Sequence, residues 1–142
     1  TETPTMTATP APAPTPEAPS GTVIGSGSFD SSTGVGLNTH TAWTAAEQAD
    51  GSVKLTLSVY VRSYTLEIGQ RSIAISVNGA TSGGMTRSFS VDSPNSQTDT
   101  LIYTYSTTVQ KGSAVSVSVD WNYKGQYSGR DLDVISSSST IF

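Results

Sequence analysis

Three features of this 142-residue chain predict an all-β fold, an antiparallel two-sheet β-sandwich of immunoglobulin-like or jelly-roll-like kind behind an N-terminal spacer. Apolar residues alternate with polar ones at period two in several separate runs. Those runs are punctuated by turn dipeptides such as Asp50-Gly51 and Asn78-Gly79. Six of the seven prolines fall in the first nineteen residues, where almost no core-forming residue joins them. Period two is the spacing at which one face of a strand meets a core, and half-buried antiparallel strands pack as facing layers.

The spacer comes first. Residues 1–21 alternate Thr, Pro and Ala, as in Ala11-Pro12-Ala13-Pro14. Proline fixes φ and lacks an amide donor, so this stretch suits neither helix nor sheet. A disordered or polyproline linker at about 3.1 Å per residue is expected, joining the domain to other parts of a parent protein. The chain starts inside this tract, so a secretion signal is expected upstream.

Residues 22–142 are expected to form one domain, about the size that holds a single core. Strands are expected near 22–29 and 37–48; the run Thr44 to Ala49 contains helix formers but is short and feeds straight into Asp50-Gly51. The clearest strand is 53–63, with Val53, Leu55, Leu57, Val59 and Val61 on one face and Lys54, Thr56, Ser58, Tyr60 and Arg62 on the other. A short strand or corner at 64–68 follows. Ile73, Ile75 and Val77 mark 71–78, closed by Asn78-Gly79, a dipeptide that tolerates the positive φ of tight hairpins. Ser82-Gly83-Gly84 reads as a break before a strand at 85–91. Ser93-Pro94-Asn95 marks an irregular loop. Leu101, Tyr103, Tyr105 and Val109 indicate 99–109, and Lys111-Gly112 a further turn. Val115, Val117, Val119 and Trp121 indicate 114–123, and a Ser/Thr-rich strand at 132–141 closes the domain. No helical periodicity and no internal repeat accompany these runs.

Composition narrows the function. Cysteine is absent, so no disulfide framework or thiolate metal site is available. The net charge is −4 and the seven basic residues are scattered, which argues against a nucleic-acid partner. No apolar run approaches the length of a membrane span. A Thr/Pro tract points to an extracellular or cell-surface setting and is open to O-linked sugar.

Two segments carry a family resemblance. Ser63-Tyr64-Thr65-Leu66-Glu67-Ile68-Gly69-Gln70-Arg71-Ser72 is followed, after three expected strands, by Trp121-Asn122-Tyr123-Lys124-Gly125-Gln126-Tyr127-Ser128-Gly129. Together with the closing strand from Asp133 to Ile141, they resemble a β-sandwich module of siphovirus tail and other virion structural proteins, also found in uncharacterised secreted proteins of Gram-positive bacteria. The resemblance covers roughly residues 22–142. It implies a surface or virion module of undefined ligand, with no catalytic residues to carry over. The Thr/Pro spacer fits the secreted branch better.

Candidate site residues are few. Trp121, in phase with three valines, reads as a core residue bridging the sheets, with a sugar-stacking platform as the alternative. Exposed aromatics serve as ligand platforms on sandwich faces, which makes Trp43, Tyr60, Tyr123 and Tyr127 the candidate ligand-binding residues. The competing reading is that Trp43 and Tyr60 cover sheet-edge gaps while Tyr127, with Gly125, Ser128 and Gly129, shapes a turn. Asp120, Asp131 and Asp133 are the one acidic cluster, and oxygen-only donors suit calcium, although a Gly-spaced binding loop is lacking. His40 is the only histidine, and no Gly-x-Ser-x-Gly motif accompanies it. Lys54 lies on the polar face of its strand, unlike the dry site an intramolecular Lys–Asn amide needs. No catalytic constellation emerges. The expected function is a non-catalytic module for adhesion, binding or spacing, its partner a glycan or protein at a surface. The alternative is a carbohydrate-binding module tethered to a glycoside hydrolase.

Overall fold

The computed structural model describes residues 21–141, so all but Gly21 of the spacer expected over 1–21 lies outside the described residues. Twelve strands and no helix are found among them. One four-stranded sheet, A, has the order β1-β2-β3-β8. Its members are β1 (Thr22–Asp30), β2 (Asn38–Glu47), β3 (Val53–Ser63) and β8 (Thr98–Val109). The second, B, has the order β12-β9-β5-β6. It comprises β5 (Ser72–Val77), β6 (Ala80–Met85), β9 (Val115–Trp121) and β12 (Ile135–Ile141). All pairings are antiparallel. The short strands β4 (Leu66–Ile68) and β7 (Phe89–Val91) pair with each other on the two crossings between the sheets. A further hairpin, β10 (Gly125–Tyr127) with β11 (Arg130–Leu132), fills the connection from β9 to β12.

The two layers are held by the stripes the sequence displays. From sheet A, Leu55, Leu57, Val59 and Val61 are fully buried. Across from them, Ile73, Ile75, Val115, Val119, Trp121 and Ile135 supply the other wall at 1% exposure or less. Burying a Leu, Ile or Val side chain contributes about 1.5–3 kcal/mol, so these stripes dominate the stability. Polar residues on the alternate phase face outward, Ser116, Ser118 and Ser136 among them.

Turn chemistry fixes the registers. Asn78 (φ 51°) and Gly79 (φ 84°) both take the left-handed conformation of a type I′ hairpin, pairing Val77 with Ala80. That register corrects one expectation. The strand expected at 85–91 is two elements, β6 and β7, and Ser82-Gly83-Gly84 lies inside β6 rather than breaking the chain. Gly84 is there for room: a Cβ would come within 2.8 Å of the Tyr103 ring, which reaches over from sheet A. Glycine in a strand interior often marks such a close approach. Likewise the strand expected at 132–141 begins only at Ile135, because the β10–β11 hairpin takes up residues before it. In sheet A the register slips between Val59 and Tyr60 against β8. This bulge keeps Leu101 on the outer face with Tyr60 while Tyr103 and Tyr105 align with Val59 and Leu57.

A candidate ligand face around Tyr60

Directly opposed residues of an antiparallel ladder share a face, so the registers place every candidate side chain. Tyr60 in β3 stands opposite His40 of β2 and Leu101 of β8, on the outer face of sheet A. Its ring is tilted 48° to the His40 imidazole with 6.1 Å between centroids. His40 in turn stands opposite Asp30 of β1, and its Nδ1 is hydrogen-bonded to Asp30 Oδ1. That contact fixes the imidazole orientation and leaves Nε2 directed away from the carboxylate.

Two residues along β3, Arg62 stands opposite Asp99 of β8. The guanidinium donates from Nε to Oδ1 at 2.8 Å and from Nη2 to Oδ2 at 3.1 Å. This is the bidentate fork, the strongest form of such a pair. Hydrogen bonding to Arg62 holds the Asp99 carboxyl below its ordinary range, against an opposing push from partial burial. The same bond to Asp99 raises the Arg62 guanidinium. One half-buried aromatic is therefore flanked by two oriented acid–base pairs at one end of one sheet face. Donors and acceptors are set around a ring that is apolar on its face and polar at its tip.

The other three candidate rings do not join it. Trp43 stands opposite Leu57 and Gly27, which puts it on the inner face, half-buried against the core. A Cβ on Gly27 would lie 2.9 Å from its indole Nε1, so the ring needs this glycine beneath it. Its neighbours in phase, Thr41 and Ala45, are buried too, so their polar or small character did not mean exposure. Tyr123 is buried, tilted against Trp121 at 5.3 Å between centroids, and its hydroxyl donates to the Gln126 carbonyl at 2.7 Å. Burial raises its phenol above the ordinary range. Tyr127 is buried and its hydroxyl accepts a hydrogen bond from the Tyr64 amide at 3.0 Å. Both rings fasten the β9–β12 connection to the core, which is the turn-shaping role rather than a ligand-facing pair. Trp121, fully buried, is the core residue of the sequence reading. A planar strip of four rings is not formed.

Nor do the three aspartates converge. Asp120 lies within the ladder between Ser136 and Ala74, Asp131 opposes Gln126 in the small hairpin, and the Asp133 carbonyl accepts from the Lys124 amide at 2.9 Å. Among the described residues no group of three or more His, Asp or Glu side chains is placed to hold a metal ion. Lys54 stands opposite Ala46 and Thr108 on the outer face, with no asparagine across either ladder.

Sequence reasoning singled out Tyr60 by its phase but missed Asp30, Arg62, Asp99 and Leu101. Their grouping depends on the β1–β2 and β3–β8 registers, and β3 and β8 are joined by a long excursion through the other sheet. No helix of the described residues is long and apolar enough to cross a membrane. No family model, no curated protein and no solved structure matches this chain.

Proposed function

We propose that this chain is a non-catalytic binding module, carried outside the cell on its Thr/Pro spacer, that holds a glycan against the outer face of sheet A. The observation that carries this reading is Tyr60, half-buried on the outer face beside Leu101, with the His40–Asp30 and Arg62–Asp99 pairs around it. An aromatic ring offers stacking area to a sugar ring at low conformational cost. The carboxylate lone pairs and guanidinium N–H groups left over from the two pairs suit its hydroxyls. None of these side chains lines the clefts of ≈ 660 Å³ and ≈ 540 Å³, so the ring is presented on a surface and not inside a hollow. An open platform favours a chain lying across the strands over a small molecule enclosed in a pocket. A carbohydrate-binding module tethered to a glycoside hydrolase would use the same face, with the catalytic domain beyond the spacer.

The test is a mixed array of host, cell-wall and plant glycans probed with the wild-type domain and with Tyr60→Ala. Binding to at least one glycan class is expected, weakened about tenfold by the substitution, the equivalent of a lost aromatic contact of about 1.4 kcal/mol. Binding unaffected by Tyr60→Ala would remove the face from consideration. A wild-type domain that binds no glycan leaves a spacer or a protein-binding module.

A further inference from the structure

Beyond the edge strand of sheet A the surface turns into a cleft of ≈ 660 Å³, walled in part by Glu67, Ile68, Arg87 and Phe89. A second hollow of ≈ 280 Å³ adjoins it across the same Arg87. Arg87 lies between β6 and β7, with its amide directed at the Ile102 carbonyl at 3.4 Å and its predecessor firmly held. The neighbouring Thr86 is buried, with its amide on the Arg71 carbonyl at 2.8 Å and its hydroxyl bonded to both backbone groups of Arg71. The Arg87 side chain, by contrast, is poorly satisfied. Its Nε is closed off from solvent without an acceptor. Among the described residues its side chain makes one hydrogen bond, from Nη1 to the Leu101 carbonyl at a long 3.4 Å. A guanidinium carries five donors, and a bond of that length holds it weakly. Turning away from Leu101 toward an incoming anion therefore sacrifices little.

Leu101 connects this arginine to the face described above. Its carbonyl receives Arg87 at the free edge of β8, while its residue stands opposite Tyr60 in the ladder. Leu101 thus links the two, and a chain lying across Tyr60 and over β8 runs toward Arg87.

We propose that Arg87 binds a single carboxylate of the ligand in this cleft, making the preferred glycan one that bears an acidic sugar beside the unit stacked on Tyr60. This rests on the reading of the Tyr60 face. A carboxylate matches the guanidinium fork in shape and charge, and Ile68 and Phe89, buried beside it, offer no competing polar side chain. Glu67, exposed on the same wall, limits the site to one negative charge and disfavours a polyanion.

The test uses an oligosaccharide ending in one glucuronic acid and the methyl ester of the same molecule, titrated calorimetrically into the wild type, Arg87→Gln and Tyr60→Ala. The acid is expected to bind the wild type about tenfold or more tighter than the ester, the margin of a charge-assisted pair over a neutral contact. Arg87→Gln brings the acid to the level of the ester and leaves the ester unchanged. Tyr60→Ala weakens both and preserves their ratio. Equal binding of acid and ester to the wild type, or an Arg87→Gln variant that weakens both alike, overturns the proposal. A second measurement separates the two sites. Free glucuronate titrated into labelled protein should shift the Arg87 Nε–H resonance in the wild type and in Tyr60→Ala. If neither oligosaccharide binds but that shift appears, the carboxylate site stands and the Tyr60 platform falls. If no shift appears, the Arg87 site falls.

Discussion

Replacing Thr41 by valine should make the domain more stable. Thr41 is fully buried on the inner face of β2, opposite Val59 of β3 and Phe29 of β1, and its hydroxyl has no hydrogen-bond partner. A hydroxyl taken out of water without a partner costs about 1–3 kcal/mol by protein substitution data. Valine has nearly the same shape, keeps the β-branch that suits a strand, and carries no group to desolvate. Some of the gain is lost to imperfect repacking, so about 1 kcal/mol of stabilisation is expected. For a domain of this size that corresponds to a rise in Tm of about 4 °C. Urea unfolding followed by tryptophan fluorescence should show a higher midpoint at unchanged slope, since the surface exposed on unfolding is the same. Glycan binding should not change, because the residue faces away from Tyr60. A loss of 1 kcal/mol or more would refute the reasoning. It would mean that the hydroxyl is bonded in solution, by an internal water for instance, and that valine removes a useful contact. Thr39 lies two residues away on the same face with the same orphaned hydroxyl. The double variant would test whether the two gains add, as contacting sites often do not.

Three further outcomes follow from the packing and the charges. Gly84→Ala should destabilise by about 1–3 kcal/mol, as overpacking does, and the cost should fall sharply when Tyr103→Leu is present, since the Tyr103 ring is what the new methyl meets; a double-mutant cycle in urea reads the coupling. Tyr127→Phe should cost about 1 kcal/mol in thermal unfolding, because the Tyr64 amide loses its acceptor, without altering glycan affinity. In acid the Arg62–Asp99 pair should weaken. The Asp99 carboxyl is depressed in the folded state, so the unfolded chain takes up its proton first, and the pair's contribution is lost as pH falls from about 4 through the folded value. Both groups are more than a third exposed, so the effect is at most about 1 kcal/mol. Asp99→Asn should flatten that part of the pH–stability curve relative to the wild type.

How much of this was legible beforehand depends on the range of the interaction involved. The alternation in residues 53–63 is a local signal, and β3 occupies those residues. Asn78-Gly79 is equally local, since the two residues themselves adopt the conformation that names the turn. Gly83-Gly84 misled because its cause is remote: the glycine answers a tyrosine from the other sheet, nineteen residues on at position 103. Trp43 misled for a related reason. Thr41, two residues away in the same phase, is polar yet fully buried, so a polar residue in that phase does not mark an exposed face. Tyr123 is in phase with the buried Val115, Val117, Val119 and Trp121, so its inward ring was legible from period two, whereas Tyr127 sits in a stretch rich in turn residues and only the fold around β10 and β11 explains why its ring turns inward. At the candidate site, Tyr60 was visible from phase alone. Its charged companions were not, because Asp30 and Asp99 reach it from strands on either side through pairings that no short window of sequence contains.

The order in which the strands occur has a consequence for biosynthesis. β3 lies inside sheet A, yet its second neighbour, β8, follows only after the chain has visited the opposite sheet and returned. On a ribosome, β1 to β3 can assemble as a three-stranded meander while residues 98–109 are still unmade. During that interval the backbone amides and carbonyls along one side of β3 have no partner, beside a row of valines and leucines not yet covered. Nascent copies on neighbouring ribosomes can pair with each other through these open edges. Chains translated slowly or sparsely should therefore mature with less aggregate than the same chains produced in a crowd.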